Sequence, residues 1–330
     1  MLRLPRFRYL RPSTAREAAA LAAEHGPQAM FVAGGTDLFP KMKRRQFEPE
    51  ILIGLDGLAG LREIRGDPAS GFELGALTTL ARAAGNPRLA AACAGYPEAA
   101  GLVSSPPLRQ AGTVGGNLCV DTRCNYYDMT LEWRQAVGFC MKKDGEICLV
   151  APGSPRCWAI SSSDTAPMAI AAGASVRLAG PDGEREIPAA ALYRDDGIDY
   201  LAKQPHEVVT HVLLPSAAGV GTAYVKLRRR GSIDFPIAGA AVAVGLDGDT
   251  VRTCRIALTA VASHPVEAAR AASFLVGRRL RPETVAEAAE LAAGPAKPLD
   301  NADLTHFWRK RMVRVVVEQA ITKAAGRAAG

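Results

Sequence analysis

Leu108-Arg109-Gln110-Ala111-Gly112-Thr113-Val114-Gly115-Gly116-Asn117 is the stretch on which the reading of this chain turns. Glycines at 112, 115 and 116 leave the backbone bare, so it can approach a phosphate or a cofactor ring where a Cβ would stand in the way. A second stretch of the same kind lies upstream. The short apolar strand Ala29-Met30-Phe31-Val32-Ala33 runs directly into Gly34-Gly35-Thr36-Asp37-Leu38. Strand, paired glycines, then Thr and Asp is an arrangement in which successive N–H groups can wrap an anion. The upstream stretch is not the G-x-G-x-x-G fingerprint of a dinucleotide-binding βαβ unit, and no Walker-type lysine follows it. Alone, the upstream loop reads more readily as a sharp strand-to-helix turn that needs positive φ.

The surrounding pattern predicts short strands alternating with helices. Phe7–Pro12 reads as an opening strand, and Thr14 and Glu17 stand at capping-box spacing before an alanine-rich helix that stops at Gly26. Strands are expected at Glu50–Leu55, Leu61–Ile64 and Phe72–Leu77, followed by a helix over about Leu80–Ala94. Further on, a hairpin is expected at Ala174–Leu178 and Glu184–Pro188, then a strand at Glu207–Leu214 and a linker at Pro215–Gly221. Three antiparallel strands follow at Thr222–Leu227, Ala238–Leu246 and Thr253–Val261, with helices at Pro265–Leu275, Pro282–Ala293 and Asp303–Ala325. The fold class expected is α+β, with a cofactor between two lobes. Residues 1–217 form the first domain and residues 218–330 a smaller C-terminal one, an antiparallel sheet with helices on one face.

Composition narrows the function. With 330 residues, 48% apolar and 22% charged, the chain is an ordinary globular protein of two or three domains. No apolar run is long enough to cross a bilayer. The opening Met1–Arg6 lacks the apolar core of a signal peptide, so a cytoplasmic location is expected. The net charge of +7 is scattered apart from Lys41–Arg45 and Lys226–Arg230, and aromatics make up only 6%. Nucleic acid is therefore not an expected partner, whereas an acidic electron carrier could use such charge. The five histidines are dispersed and build no catalytic or metal group.

Five of the seven cysteines, Cys119, Cys124, Cys140, Cys148 and Cys157, fall in one polar segment, about 119–160. In a reducing compartment clustered thiols are more readily metal ligands than disulfides. So long a loop is expected to need a staple, because it cannot bury enough apolar surface by itself. Zinc knuckles of the Cys-x2-Cys type are absent, and no histidine lies in the segment. Irregular spacing suits a [4Fe–4S] cluster. The chemistry alone leaves cluster, zinc and unligated thiols open. Cys93 and Cys254 lie in apolar contexts and read as small hydrophobes.

The two glycine loops together resemble the signature loops of the FAD-binding medium subunit of the xanthine dehydrogenase/carbon monoxide dehydrogenase family of molybdenum hydroxylases. Gln110 departs from the Asn usual after the Arg. The resemblance implies a two-lobed FAD-binding domain whose loops hold the FAD pyrophosphate and ribityl chain. By the same resemblance Ala33, Gly34, Gly35, Thr36 and Asp37, with Thr113, Gly115, Gly116 and Asn117, bind FAD. Ser163-Asp164-Thr165-Ala166-Pro167 resembles the element whose Asp reaches the flavin, and Lys226 a lysine near the isoalloxazine. The cysteine-bearing insertion resembles that of the 4-hydroxybenzoyl-CoA reductase β subunit. This implies a [4Fe–4S] cluster on Cys124, Cys140, Cys148 and Cys157, with Cys119 spare. It further implies ferredoxin as donor, a [2Fe–2S] small subunit and a molybdenum large subunit in a dimer of heterotrimers, and reductive dehydroxylation of an aromatic acyl-CoA on the large subunit. The competing expectations are a hydroxylase subunit passing electrons outward to a quinone or NAD, and a zinc-stapled assembly subunit.

Overall fold

The fold rests on three sheets, seen in a computed structural model that describes residues 2–329; Met1 and Gly330, at the outer ends of the two expected domains, lie outside the described residues. The first sheet is parallel, with Ile51–Gly54 between Arg8–Leu10 and Ala29–Val32. Its central strand is buried at every position, and the helix Ala15–His25 packs alanines against it. That helix is capped as its sequence predicts: the Glu17 N–H donates to Thr14 Oγ1 at 3.0 Å, and the Ser13 N–H donates to Glu17 Oε2 at 2.7 Å.

The second sheet is antiparallel, in the order Ile64–Asp67, Gly71–Gly75, Val208–Leu214, Ser175–Ala179, Glu184–Pro188. Val208–Leu214 comes last in sequence but lies in the middle. Its period-2 burial puts Val208 and Val212 inside. These two sheets are the lobes of the first domain.

The third sheet is antiparallel, in the order Val266–Glu267, Thr250–Thr259, Ala238–Asp247, Val220–Leu227. Ala238–Asp247 is its central long strand. Ala238, Ala240, Val242 and Val244 face the helices Ala269–Leu275, Pro282–Ala293 and His306–Ala328. Ala241 and Ala243 point the other way, into the core of the first domain with Tyr96, Met168 and Ile170. A strand covered on both faces reads as a nearly continuous apolar run, as Ala238–Val244 does. Among the described residues no helix is long and apolar enough to cross a membrane.

Two expectations are corrected. The helix expected over Leu80–Ala94 is two, Leu80–Ala84 and Pro87–Ala92. Pro87 has no N–H to continue the ladder, and the Asn86 side chain restarts it by accepting from the Leu89 N–H at 2.9 Å. A further helix, Gly95–Leu102, follows although it opens on glycine and contains Pro97. It is fixed by tertiary packing: a Cβ at Gly95 would lie 2.5 Å from Met168 Sδ.

The cysteine insertion also differs from the loose loop expected. Its neck is closed by a reciprocal pair of hydrogen bonds, Arg123 N–H to the Ile160 carbonyl at 2.9 Å and Ile160 N–H to the Arg123 carbonyl at 2.7 Å. It contains the helix Leu131–Ala136 and buries Tyr127 and Arg134. Bonds from Asn125 N–H to the Asn301 carbonyl and from Gly197 N–H to the Cys157 carbonyl dock it against the rest of the chain. Contrary to the expectation that a metal must staple it, protein contacts already fix its course.

Candidate flavin cavity and thiol pocket

Between the two lobes runs a large cavity. One wall is Met30–Leu38; the other is built from Ala76, Leu77, Leu80, Gly112, Thr113 and Gly115–Asn117, with Val208 and Val209 below. The two glycine loops thus face one space although they are far apart in sequence. They also touch: a Cβ on Gly34 would stand 2.0 Å from the Ala111 carbonyl oxygen. Gly35 has φ +68°, a conformation that L side chains rarely adopt. Gly115 lies so close to Ala76 that a Cβ would come within 2.6 Å of its methyl.

The second loop is less free than its sequence suggests. Residues Val114–Leu118 form a short helix with Thr113 as N-cap, its hydroxyl accepting from the Gly116 N–H at 3.1 Å. The Val114 and Gly115 N–H groups are spent on the carbonyls of Thr78 and Ala76. What this loop offers the cavity is its end and its side chains. Asn117 Oδ1 accepts from Ser163 Oγ at 2.9 Å and Thr165 Oγ1 at 2.7 Å, tying the loop to the Ser163–Pro167 element.

Asp164 lines the cavity and is buried. Its oxygens accept from Tyr224 Oη at 2.7 Å and Lys226 Nζ at 2.9 Å. Burial pushes the Asp164 carboxyl up and the Lys226 ammonium down, and their mutual contact opposes both shifts. Lys226 is not among the residues lining the cavity. It sits behind Asp164, also donating to the Leu102 carbonyl at 2.9 Å. Asp37 lines the cavity, with burial raising its carboxyl and Lys41 and Arg123 pulling it down.

A mostly apolar cavity with glycine backbone on two walls and polar side chains such as Asp37, Asn117 and Asp164 among its lining suits a flavin. Comparison with known families decides the matter. Residues 5–217 match the model of the FAD binding domain in molybdopterin dehydrogenase, and residues 222–324 match that of the CO dehydrogenase flavoprotein C-terminal domain. The chain belongs to the FAD-binding medium-subunit family of the molybdenum hydroxylases. It is 30% identical to the carbon monoxide dehydrogenase medium chain of Hydrogenophaga pseudoflava, over 98% of this chain and 99% of that one. It is 33% identical to the aldehyde oxidoreductase FAD-binding subunit of Escherichia coli, over 80% of this chain and 85% of that one. Among solved structures, carbon monoxide dehydrogenase from H. pseudoflava superposes with a TM-score of 0.81 at 30% identity, covering 98% and 99% of the two chains.

In this medium subunit the insertion forms a second site. Cys124, Cys140, Cys148 and Cys157 converge on one small pocket with Tyr127 and Lys142, although they are scattered through the insertion. All four are buried free thiols. Burial pushes Cys124 up to about 12 and Cys157 up to about 11, the latter opposed by its contact with the Ala159 N–H and by the Lys142 charge. Cys119 is not in the pocket; it lines the flavin cavity. Cys93 is buried in the first core, and Cys254 is partly exposed on its strand.

Among the described residues no three His, Cys, Asp or Glu side chains are grouped as ligands of a single metal ion. The four cysteines that line the pocket are all thiols, a donor set that either zinc or an iron–sulfur cluster takes.

The wall between the two sites holds what sequence reading missed. Lys41, the first residue of the basic run Lys41–Arg45, is 2% exposed and donates to Asp121 Oδ2 at 2.7 Å. Asp121, Tyr200 and Lys203 line the flavin cavity and carried no signal beyond ordinary composition. A buried partner for Lys41 is legible only once the fold brings residues 41 and 121 together.

Proposed function

We propose that this medium subunit carries FAD and a [4Fe–4S] cluster and passes single electrons between them. The family assignment carries the flavin; the cluster rests on one observation, the convergence of Cys124, Cys140, Cys148 and Cys157 on a single buried pocket beside the flavin cavity. FAD binds between the loops Ala33–Asp37 and Thr113–Asn117, with Asp164 facing it and Lys226 holding Asp164. Bound flavin supplies one- and two-electron chemistry, so it can join a one-electron donor to a two-electron reaction. This chain's residues bind and orient it and keep water from it.

The subunit works beside a [2Fe–2S] small subunit and a molybdenum large subunit, in a dimer of heterotrimers in the cytoplasm, with residues 1–217 and 218–330 as its two domains. Ferredoxin delivers electrons to the cluster. On the large subunit two electrons and two protons replace the ring hydroxyl of 4-hydroxybenzoyl-CoA by hydrogen and release water. What supports this direction is the extra thiol site, which gives an external one-electron carrier an entry point. A second reading, electrons leaving through the flavin to a quinone or NAD, is favoured by the carbon monoxide dehydrogenase and aldehyde oxidoreductase relatives.

Anaerobic purification with the partner chains tests both. The expected result is one FAD with about four iron and four labile sulfides per medium subunit, and oxidation of reduced ferredoxin only when 4-hydroxybenzoyl-CoA is present. Zinc without labile sulfide overturns the cluster. Substrate-driven reduction of a quinone or NAD, with ferredoxin inert, overturns the direction.

A further inference from the structure

A wall separates the flavin cavity from the thiol pocket, and one ion pair, Lys142–Asp121, spans it. Lys142 lines the thiol pocket. Its ammonium donates to Asp121 Oδ1 at 2.8 Å, Thr122 Oγ1 at 2.8 Å and the Gly197 carbonyl at 2.6 Å. Asp121 lines the flavin cavity. Gly197 lies against the thiols: a Cβ there would stand 2.7 Å from Cys157 Sγ. Tyr127 completes the wall, with the Lys41 and Lys142 ammonium groups 4.6 and 4.8 Å from its ring centre.

The charges in this wall are balanced but not evenly placed. Lys41, Lys142 and Arg123 stand against Asp37, Asp121 and Asp128. Of these, Asp37 and Asp121 face the flavin cavity, while only Lys142 faces the thiol pocket. Asp121 is divided between two ammonium groups, so it does not cancel Lys142 at the thiol side. Lys142 is 6% exposed in its side chain, and solvent screens it little.

We infer that Lys142 is the residue that sets the reduction potential of the group held by the four cysteines, and that it couples that group to the flavin cavity through Asp121. The inference rests on the cluster reading above. A buried cation beside a cluster favours the form carrying one more electron, so it raises the potential. Lys142 is a positioning residue: it touches the site's wall and takes no electron itself.

The test is an EPR-monitored redox titration of the anaerobic complex. Lys142→Met and Lys142→Gln, the second keeping a donor toward Gly197, are expected to retain iron and FAD. Each should lower the equilibrium constant for cluster reduction at least tenfold, about 59 mV for one electron. Lys142→Arg should keep the wild-type potential. An unchanged potential in either neutral variant with full iron overturns the inference. So does iron loss in both neutral variants with retention in Lys142→Arg, which assigns Lys142 a purely structural part. Absence of iron and labile sulfide from the wild-type complex is a different failure, that of the cluster reading itself.

Discussion

Gly34 and Ala111 are in contact across the flavin cavity, with no room for a methyl between the α-carbon of one and the carbonyl oxygen of the other. The two glycine loops therefore fix each other's position, and either loop binds flavin properly only when the other is in place. Gly34→Ala must push the loops apart. Overpacking of this kind costs about 1–3 kcal/mol, which is roughly 5- to 150-fold in FAD affinity if the strain falls on the bound state. FAD retained after desalting, measured by absorbance, checks it; wild-type occupancy in the variant would show that the loops yield freely.

The ligand assignment divides the seven cysteines sharply. Serine at Cys124, Cys140, Cys148 or Cys157 is expected to lose most of the iron while keeping FAD, because the insertion is docked by protein contacts as well. Cys119→Ser is expected to keep the iron, since that thiol lines the other cavity. Iron and flavin analysis of the five variants decides it. Full iron in both Cys140→Ser and Cys157→Ser, or its loss in Cys119→Ser, means a different ligand set.

Lys226 and Asp164 form a pair almost closed to solvent, with side-chain exposures of 1% and 3%. Lys226→Met leaves a buried carboxylate with only the Tyr224 hydroxyl, and breaking a buried pair from one side costs about 3–5 kcal/mol. Combining it with Asp164→Asn should recover a large part of that loss, because the stranded charge goes too. Denaturant unfolding of the single and double variants gives the comparison. Equal stability of Lys226→Met and wild type would mean that the carboxyl is protonated in the folded chain.

The ion pair between Arg185 and Glu207 predicts a pH dependence. Arg185 donates to both Glu207 oxygens, at 2.6 and 2.8 Å, and this hydrogen bonding holds the Glu207 carboxyl below its ordinary value. A carboxyl depressed in the folded state stabilises it above the unfolded value, about 4.3. That contribution is lost as pH falls through the lower folded value. Glu207→Gln should therefore melt below wild type at pH 7, with the gap closing under acid. A gap that persists unchanged at pH 3 would mean that the contribution is packing and not charge.

Much of this was legible in the residues, and the exceptions have a common physical cause. Paired glycines after a strand announced both loops, because few backbone settings tolerate them. The Thr14 cap and the hairpin at 175–188 were equally readable, since local hydrogen bonding and turn chemistry decide them. The helix Gly95–Leu102 was not, because its stability comes from contact with Met168 and the third sheet and not from its own sequence. Lys41 stood in a basic run and Lys226 was singled out only by resemblance, because a lysine carries no mark of burial until its carboxylate is brought to it. The cysteine loop was read as needing metal for order, since neither the bonded neck at Arg123 and Ile160 nor its docking on Asn301 is written locally.

That neck has a consequence for how such a subunit comes about. A segment that leaves and re-enters the fold through two adjacent, mutually bonded residues is a removable appendage. Joining Arg123 to Ile160 by a tight turn keeps both cavity-lining loops in the chain and removes Lys142 and Asp128, leaving Asp121 paired with Lys41 alone. A segment of this form can be added to a flavoprotein, or shed from it, in a single exchange of coding sequence. The flavin site is the host, and the thiol loop is portable cargo.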